Sequence, residues 1–293
     1  MISKNINENS ITGIIFNVQR FSIYDGPGIR TMVFFKGCNL RCLWCHNPES
    51  QNAEPERFFY AEKCVHCGKC LSVCSKAFLA CCDSCGRCVA VCTHNAREIT
   101  GRVVSTEKLY EDIIKDKAFY DLSGGGVTFS GGEPLLQPEF LLQMLQKCKE
   151  SGIHTAVETA GNVKNEIMQS VLQFTDLVLF DLKAINPVPH KKCTGTSNRL
   201  ILENARWLKE NCQEKILFRM PVVPGYNDSE VETVARFAEP VKLELLPYHR
   251  TGAGKYAALG RLYAVESVQP PSTEMMRSLA ERFDNVFCEE NIV

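Results

Sequence analysis

The sequence has 293 residues, of which 45% are hydrophobic and 23% charged, the balance of a soluble globular chain with one large core. Its 33 basic and 34 acidic residues nearly cancel, which excludes a basic field that would attract nucleic acid or an anionic membrane surface. The first ten residues, MISKNINENS, lack the apolar region of a signal peptide, and no apolar stretch approaches the ~20 residues of a membrane-spanning helix. We therefore expect a cytoplasmic protein with neither nucleic acid nor membrane among its partners.

The chain contains 16 cysteines. In the cytosol, where thiols stay reduced, such a number indicates metal ligation or redox chemistry rather than disulfides. Twelve of the cysteines lie between Cys38 and Cys92. The other four are isolated, and we interpret them as small buried apolar residues: Cys148, Cys193, Cys212 and Cys288.

The first predicted strand, TMVFFKG, ends at Gly37 and leads into Cys38, Cys42 and Cys45. Three thiolates at this C-x3-C-x2-C spacing suit an iron–sulfur cube of four irons, because they leave one iron free for a small molecule to chelate. A zinc site completed by His46 is the alternative. The cysteine repeats that follow favour iron over zinc.

The next segment, residues 58–98, has few apolar runs and carries two copies of a C-x2-C-x2-C-x3-C pattern, CVHCGKCLSVC and CDSCGRCVAVC. This is the spacing of bacterial two-cluster ferredoxins, in which the fourth cysteine of each motif binds the other cluster. The predicted ligand sets are therefore crossed: Cys64, Cys67, Cys70 and Cys92 for one cluster, and Cys82, Cys85, Cys88 and Cys74 for the other.

Two features of this segment depart from the ferredoxin pattern. Ser75 and Thr93 replace the usual proline after the fourth cysteine, and Cys81 is left over. Paired C-x2-C units also suit tetrahedral zinc, but a zinc site does not require the third and fourth cysteines at a repeated spacing.

Beyond the cysteine-rich segment, helix-like and strand-like stretches alternate. With TMVFFKG as the first, the predicted strands are GVTFS, HTAVET, DLVLFDLK, KILFRMPVV and VKLELLPY. The predicted helices are STEKLYEDIIKDKAFY, PEFLLQMLQKCKESG, NEIMQSVLQF, NRLILENARWLKEN and SEVETVARFA. Six near-continuous apolar strands alternating with helices predict a parallel sheet covered by helices, too short for a closed eight-fold barrel. Active-site residues should then follow the carboxyl ends of the strands.

Two of these helices carry local signals. Pro138 suits the first turn of its helix, on which Leu141, Leu145 and Cys148 share one face. In SEVETVARFA, Ser229 and Glu232 have the spacing of a capping box, so we expect the helix to begin at this serine.

The second predicted strand ends in SGGEP, Ser130 to Pro134. Its two glycines allow the backbone to approach a ligand closely, and Glu133 could accept a hydrogen bond from an ammonium group or shape the turn. A Gly-Gly turn alone is weak evidence for a ligand site, but its position one strand after the cysteine triplet strengthens this prediction.

The chain resembles radical S-adenosylmethionine (SAM) enzymes, and more narrowly the glycyl radical enzyme activating enzymes, which include the pyruvate formate-lyase activating enzyme. The similar stretches span nearly the whole chain: FNVQRFSIYDGPGIRTMVFFKGCNLRCLWCHNPES, FYDLSGGGVTFSGGEPLLQPEF, GIHTAVETAGNV, LVLFDLKAINPVPHKKCTGTSN, FRMPVVPGYND and LELLPYHRTGAGKY. The segments DGPGIRT and D-x-K in FDLK are more specific than the cysteine triplet. The ferredoxin-like segment resembles an insert found in the extended members.

The resemblance implies an α/β fold: a partial (β/α)6 TIM-like barrel of the radical SAM type with an inserted ferredoxin-like 2[4Fe-4S] domain. The barrel would begin in residues 1–57, the insert would occupy 58–98, and 99–293 would complete the barrel. It also implies an oxidoreductase that reductively cleaves SAM and uses the 5′-deoxyadenosyl radical to take a hydrogen from a glycine of a partner glycyl radical enzyme. Flavodoxin or ferredoxin would donate the electron.

The resemblance also carries site residues onto this sequence. Cys38, Cys42 and Cys45 would bind the catalytic [4Fe-4S] cluster, with the methionyl amine and carboxylate of SAM on the open iron. The implied SAM-binding residues are Trp44 and His46 on the adenine or sulfonium side, Gly131, Gly132 and Glu133 at the methionine amine, and Asp181, Lys183, Asn186 and His249. Lys183 and His249 would act directly with the three cysteines in catalysis.

Two further sets of residues follow from the resemblance. Glu158 and Asp181 correspond to a carboxylate pair that resembles a monovalent cation site, although ETAG departs from the Asp and Asn of the pyruvate formate-lyase activator. Asp25, Arg30 and Arg219 would contact the glycine loop of the partner.

Simpler interpretations remain for several of these residues. Asp181 and Lys183 could form a plain ion pair, His249 could be an ordinary hydrogen-bonded histidine, and Arg219 could be a surface cation. At the level of the whole chain, the alternatives are a radical SAM maturase, a ferredoxin-type electron-transfer protein and a zinc-binding interaction module. A maturase would place its auxiliary clusters after the barrel, and a ferredoxin would leave most of the chain without a role.

Overall fold

The computed structural model of the protein describes residues 11–74 and 82–288. Its strands are β1 (Thr12–Ser22), β2 (Arg30–Phe35), β3 (Glu56–Phe59), β4 (Arg97–Thr100), β5 (Arg102–Ser105), β6 (Gly126–Gly131), β7 (His154–Thr159), β8 (Leu177–Asp181), β9 (Ile216–Val222), β10 (Leu243–Pro247) and β11 (Val286–Phe287). Its helices are α1 (Lys69–Val73), α2 (Arg87–Ala90), α3 (Thr106–Ile114), α4 (Lys117–Ser123), α5 (Pro138–Glu150), α6 (Asn165–Leu172), α7 (Pro187–Thr194), α8 (Arg199–Asn211), α9 (Val231–Ala238), α10 (Ala253–Ala258) and α11 (Thr273–Ala280).

Nine strands form the central sheet, in the order β11-β10-β9-β8-β7-β6-β2-β1-β5. The strands from β2 to β11 in this order are parallel, whereas β1 and β5 add an antiparallel edge. The six predicted strands correspond to β2, β6, β7, β8, β9 and β10, so the parallel α/β fold is confirmed. The sequence analysis missed the edge strands, because β1 mixes exposed and buried positions and lacks a continuous apolar run.

The helices α3, α5, α6, α8, α9 and α11 each bury one face in the main core around this sheet. Pro138 lies in the first turn of α5, and Leu141, Leu145 and Cys148 are fully buried, as predicted. Among the isolated cysteines, Cys193 is also buried, whereas Cys212 and Cys288 are partly buried and pack against the main core. Because both faces of the parallel strands are covered, their side chains form one apolar core that fixes the strand ends in place.

Two local predictions were wrong. The helix expected over STEKLYEDIIKDKAFY is two helices, α3 and α4, since the buried carboxylate of Asp116 between them accepts hydrogen bonds from Arg20 and Thr31. The capping box at Ser229 does not form, because residues Asp228–Glu230 make a 3₁₀ turn and α9 begins at Val231.

The ferredoxin-like segment is joined to the sheet by an antiparallel ribbon in which Phe59 pairs with Arg97. The predicted boundaries at 57/58 and 98/99 fall within its two strands, β3 and β4. Ser75 and Cys81, singled out in the sequence, lie outside the described residues. No helix in the described residues is long and apolar enough to cross a membrane.

The two cysteine motifs have the same backbone conformation. His66 and Ser84, at equivalent positions, have φ values of 56° and 52°, and the equivalent glycines Gly68 and Gly86 have φ values of 72° and 74°. A short helix follows each glycine. A left-handed conformation at a residue other than glycine is uncommon, so its recurrence at both motifs marks a structural repeat.

Candidate active site

A cavity of about 420 Å³ opens at the carboxyl ends of the parallel strands. Its walls bring together residues that the sequence analysis selected from distant segments: Asp25, Cys38, Cys42, Trp44, Cys45, His46, Gly131, Gly132, Glu158, Asp181, Lys183, Arg219 and His249. Three other predicted site residues, Arg30, Glu133 and Asn186, do not line it. Carboxyl-end loops of adjacent parallel strands meet at one edge, which is why residues far apart in sequence share this cavity.

The cysteine triplet forms one wall of the cavity, in the loop that follows β2. Burial raises the pKa of Cys38 and Cys42 to about 12 and that of Cys45 to about 11, so the three thiols are neutral at pH 7 and metal binding must displace their protons. Within residues 11–74 and 82–288, no three His, Cys, Asp or Glu side chains converge on a point suited to a single metal ion. Three soft sulfur donors beside an open cavity fit an iron–sulfur cluster with one exchangeable iron.

The glycine pair at the end of β6 lies in close contact with the start of the cysteine loop. Gly131 has a φ of +112°, and a Cβ there would lie 2.3 Å from the backbone nitrogen of Phe35. A Cβ on Gly132 would lie 2.2 Å from the carbonyl oxygen of Gly37. Glycine is therefore required at both positions, and the two loops are held against each other.

Glu133 shapes this turn and is buried without lining the cavity. Its buried carboxylate accepts hydrogen bonds from the backbone nitrogens of Leu135 (3.2 Å) and Ala160 (3.1 Å) and from the hydroxyl of Thr159 (2.6 Å). Burial raises its pKa to about 7 in spite of these bonds. Both oxygens have partners within the chain, which supports the turn-shaping interpretation, while the contact with an ammonium group stays a prediction.

The D-x-K motif lies at the end of β8. The Lys183 ammonium group is 2.9 Å from Oδ2 of Asp181, while Oδ1 of Asp181 is buried without a hydrogen-bond partner. Burial is the largest single effect on Lys183 and opposes its charge, but Asp181 together with Cys42 and Cys38 outweighs burial and raises the lysine pKa. Asn186 donates through its side-chain amide to Glu230 at 2.7 Å and does not line the cavity, and its expected place beside the cofactor stays a prediction.

A buried arginine occupies the cavity floor. Arg219 is 4% exposed and donates to Glu244 at 2.8 Å, to Glu158 at 3.3 Å and to the carbonyl oxygen of Tyr24 at 3.0 Å. Its interpretation as a surface cation is therefore wrong. Burial raises the pKa of Glu158 to about 7, with Arg219 opposing the shift. The sequence analysis missed Glu244, which lies inside an apolar strand with no motif around it.

Arg30 does not present a cation to a partner. It is fully buried and donates to the hydroxyl of Thr128 (2.7 Å) and to the carbonyl oxygens of Val127 (2.7 Å) and Pro27 (3.0 Å). Its predicted partner contact is thus corrected: the side chain fixes the DGPG turn against β6. Asp25, in contrast, lines the cavity.

Two histidines meet at the mouth of the cavity. The rings of His46 and His249 are 4.3 Å apart in an edge-to-face arrangement, and the hydroxyl of Thr251 lies within hydrogen-bond distance of both. Desolvation lowers the pKa of both histidines, so they are neutral at pH 7. Trp44 is nearly buried beside them, near Tyr226. Thr251 was missed because no motif marks it.

Comparisons with known proteins agree with this geometry. The Radical SAM superfamily matches residues 32–238. The choline trimethylamine-lyase activating enzyme of Oleidesulfovibrio alaskensis is 43% identical over 276 residues, covering 86% of this chain and 89% of its own. The trans-4-hydroxy-L-proline dehydratase activating enzyme of Clostridioides difficile is 41% identical over 290 residues, covering 92% and 96%. The structure of Streptococcus suis SuiB bound to S-adenosylmethionine covers 88% of this chain and 51% of its own, with a TM-score of 0.51 and 14% identity, a likeness of fold alone.

The parallel sheet carries a cysteine triplet directly after its first parallel strand, and the superfamily match covers most of the chain. Together these features define the fold of a radical SAM enzyme. The chain belongs to the radical SAM superfamily and, within it, to the glycyl radical enzyme activating enzymes. Membership implies SAM and a [4Fe-4S] cluster as cofactors. The ferredoxin-type and zinc-module alternatives do not account for these matches.

Proposed function

We propose that this chain installs a glycyl radical on a partner enzyme, with Cys38, Cys42 and Cys45 holding the cluster and SAM lying in the adjoining cavity. The observation that carries the proposal is the single cavity in which these thiols meet the glycine pair, the D-x-K motif and the histidines. When bound, the reduced cluster and SAM supply the one-electron cleavage that yields methionine and a 5′-deoxyadenosyl radical.

Different residues of the cavity bind the two ends of SAM in this proposal. Gly131 and Gly132 let the backbone approach the methionine end, beside the cysteine loop, and Lys183 places a positive charge near its carboxylate. His46 and His249, both neutral, and Trp44 form the wall for the adenosyl end. The enclosing walls exclude water, which protects a reactive primary carbon from solvent.

In this proposal Arg219 takes the place of the monovalent cation that the resemblance suggested. Oδ1 of Asp181 is buried without a hydrogen-bond partner, but both oxygens of Glu158 already have partners, Arg219 on one side and Ser130 on the other, so Glu158 offers no free oxygen to complete a cation site. The buried guanidinium supplies the positive charge that these carboxylates require. Accordingly, replacing sodium and potassium with tetramethylammonium in the assay should leave the activation rate unchanged, and a requirement for either metal ion would contradict this assignment.

The cysteine-rich segment carries two auxiliary [4Fe-4S] clusters in our proposal. Its two motifs share one backbone conformation, and Cys74 of the first motif packs with Cys88 of the second, which supports the crossed ligand sets. The hydroxyl of Ser84, in the second motif, donates to the carbonyl oxygen of Pro55 at 2.9 Å. This contact reaches the loop that follows the catalytic cysteines and favours a relay of electrons from flavodoxin or ferredoxin.

Changing Cys67 and Cys85 to alanine tests the relay. The expected result is slower reduction of the remaining catalytic cluster by flavodoxin, because the inward path is interrupted. Reduction at the wild-type rate in a normally folded variant would leave only a structural role for these clusters.

The partner remains open among the enzymes that the relatives' names specify. Relatives at 41–43% identity are named for activating choline trimethylamine-lyase, (2S)-3-sulfopropanediol sulfolyase and trans-4-hydroxy-L-proline dehydratase. Each of these three enzymes is therefore a candidate partner.

The test of the function is an anaerobic activation assay with each of these enzymes. The reconstituted chain, a flavodoxin reducing system and SAM are mixed with the candidate, and the electron paramagnetic resonance (EPR) spectrum and 5′-deoxyadenosine are recorded. A glycyl doublet on one candidate, lost in Cys42→Ala, is the expected result. Formation of 5′-deoxyadenosine with no doublet on any candidate would instead favour a radical SAM maturase with another substrate.

A further inference from the structure

An apolar surface lies beside the cavity, and none of the roles described above uses it. It consists of five exposed side chains from the end of β1, the β1–β2 connection and α4, here called the apolar patch: Phe21, Ile23, Tyr24, Phe119 and Leu122. Leu122 is 87% exposed and Ile23 59% exposed. Exposed apolar residues gathered in one place, rather than scattered singly, mark an interaction site.

The two halves of the apolar patch form one surface. The rings of Phe21 and Phe119 are 5.1 Å apart in an edge-to-face contact, and Leu122 lies three residues after Phe119, on the same side of α4. The hydroxyl of Ser123, at the end of α4, accepts a hydrogen bond from the backbone nitrogen of Ile29 at 2.9 Å. Helix and loop are therefore held together, and the patch is a feature of the folded chain.

The backbone at Phe21 is strained, and the Phe21 ring is exposed. The φ of Phe21 is +62°, a conformation uncommon for a bulky residue. The guanidinium of Arg20 lies 5.3 Å from the Phe21 ring, but it is paired with Asp116 and gives the patch no free charge. Lys117 and Asp121 of α4 pair with each other in the same way, so the surface that fits the patch is apolar.

The apolar patch is continuous with the mouth of the cavity. The carbonyl oxygen of Tyr24 accepts a hydrogen bond from Arg219 at 3.0 Å, and the next residue, Asp25, lines the cavity. The role of the apolar patch rests on the proposed function. Any partner that places a backbone glycine in the cavity must cover the loop formed by residues 20–25.

We propose that the apolar patch is a docking surface for an apolar segment of the glycyl radical enzyme, outside the glycine loop itself. The patch would anchor the partner, while the cavity receives the glycine. Such an anchor strengthens binding equally before and during the reaction, so it affects the KM for the partner and leaves kcat unchanged.

The test uses the partner identified in the activation assay and the reconstituted enzyme. The initial rate of glycyl radical formation is measured against partner concentration for Leu122→Ser and Ile23→Ser. We expect the KM for the partner to rise about tenfold with kcat unchanged, the size of effect expected for an interface anchor. Cleavage of SAM in the absence of partner should match the wild type, which shows that folding and cluster loading are intact.

Two matched variants complete the design. Leu122→Met keeps the surface apolar and should retain the wild-type KM, and Leu262→Ser removes an apolar side chain that is 95% exposed elsewhere and should have no effect. A Leu122→Ser variant whose KM equals that of Leu262→Ser overturns the docking surface and leaves the proposed function standing. If the wild type forms a glycyl radical on no candidate, both fail. If the wild type is a dimer that Leu122→Ser converts to a monomer, the patch belongs to a second copy of this chain, which also overturns the proposal.

Discussion

Thr251 joins the two histidines of the cavity although it belongs to no motif. Its hydroxyl lies within hydrogen-bond distance of His46 and His249, and these three side chains come from two loops 205 positions apart. Removing the hydroxyl should leave the fold intact, because the residue is exposed, but it should release both rings from their shared orientation.

We therefore predict that Thr251→Val weakens SAM binding about fivefold, the equivalent of one hydrogen bond, while Thr251→Ser retains wild-type affinity. The measurement is the change that SAM produces in the EPR spectrum of the reduced cluster, titrated with SAM. Equal affinities for the valine and serine variants would show that the hydroxyl does not position the histidines.

The titration of Glu158 should make the stability of the fold depend on pH. Burial raises its pKa to about 7 in the folded chain, against about 4.3 in an unfolded one. The folded state therefore binds more protons between these values, so the contribution of Glu158 to stability is complete below its unfolded pKa and is lost as the pH rises through about 7.

In Glu158→Gln this titration is absent, and the amide can still face both Arg219 and Ser130. We expect the guanidinium midpoint of unfolding to fall less steeply between about pH 5 and about pH 8 in the variant than in the wild type. A residual slope is expected, since burial also raises the pKa of Glu133 to about 7. Identical slopes for variant and wild type, measured anaerobically, would show that Glu158 does not contribute to the pH dependence of stability.

At the scale of elements, the close approach of the carboxyl ends of β2 and β6 depends on glycine. Gly131 and Gly152 both have positive φ, but only at Gly131 would a Cβ meet another backbone, at 2.3 Å from Phe35. Gly152→Ala should cost about 1 kcal/mol from its φ alone. Gly131→Ala should cost several-fold more and should reduce the iron content of the catalytic site, because the cysteine loop must move. Equal unfolding free energies for the two variants would contradict this role.

The ribbon that carries the cysteine-rich segment is tied to the cysteine loop by a buried lysine. Lys36, whose side chain is fully buried, donates to the carbonyl oxygen of Glu49 at 2.5 Å and lies 3.2 Å from Glu56 of β3. Glu56 keeps a second partner in Arg261. The lysine thus links the start of the inserted segment with the loop that follows the catalytic cysteines.

We predict that Lys36→Met lowers the free energy of unfolding by about 2 kcal/mol, because the carbonyl oxygen of buried Glu49 loses its donor and partly exposed Glu56 loses one of its two partners. The control is Lys108→Met, which removes an exposed pair with Glu111 and should change stability by less than about 0.5 kcal/mol. Both are measured by anaerobic denaturant unfolding. A Lys36 variant as stable as the Lys108 variant would show that the link contributes nothing.

At the scale of the whole molecule, the crossed ligand sets make a paired prediction. Cys74→Ala and Cys82→Ala should each lose the same auxiliary EPR signal, and Cys92→Ala should lose the signal that Cys64→Ala loses, with about four irons removed in each case. If Cys74→Ala and Cys64→Ala lose the same signal, each motif binds its own cluster and the sets are not crossed.

Local spacing was enough for the parts of this protein that repeat or alternate. The cysteine triplet, the two cysteine motifs and the six strands that alternate with helices along the chain were predicted because each depends on neighbouring residues. A parallel sheet then placed Gly131, Asp181 and His249 at one edge, since the carboxyl ends of its strands meet there.

The directions of individual side chains were decided by tertiary structure. Glu133 follows the glycine pair but points into the protein, and Arg30 and Arg219 are buried although their motifs suggested a partner contact. Whether such a group faces a ligand or the interior depends on the donors and acceptors that distant strands bring to it. Glu244 and Thr251 gain their roles in the same way.

The sequence by itself therefore determined the class of cofactor and the architecture of the sheet, because thiol spacing and apolar periodicity are local properties of the chain. Only the tertiary structure decided which charges are neutralised inside the cavity and which apolar side chains remain exposed beside it. A buried charge must find its partner wherever folding brings one, and an exposed apolar patch is defined by the absence of covering side chains, so neither can be read from neighbours in sequence.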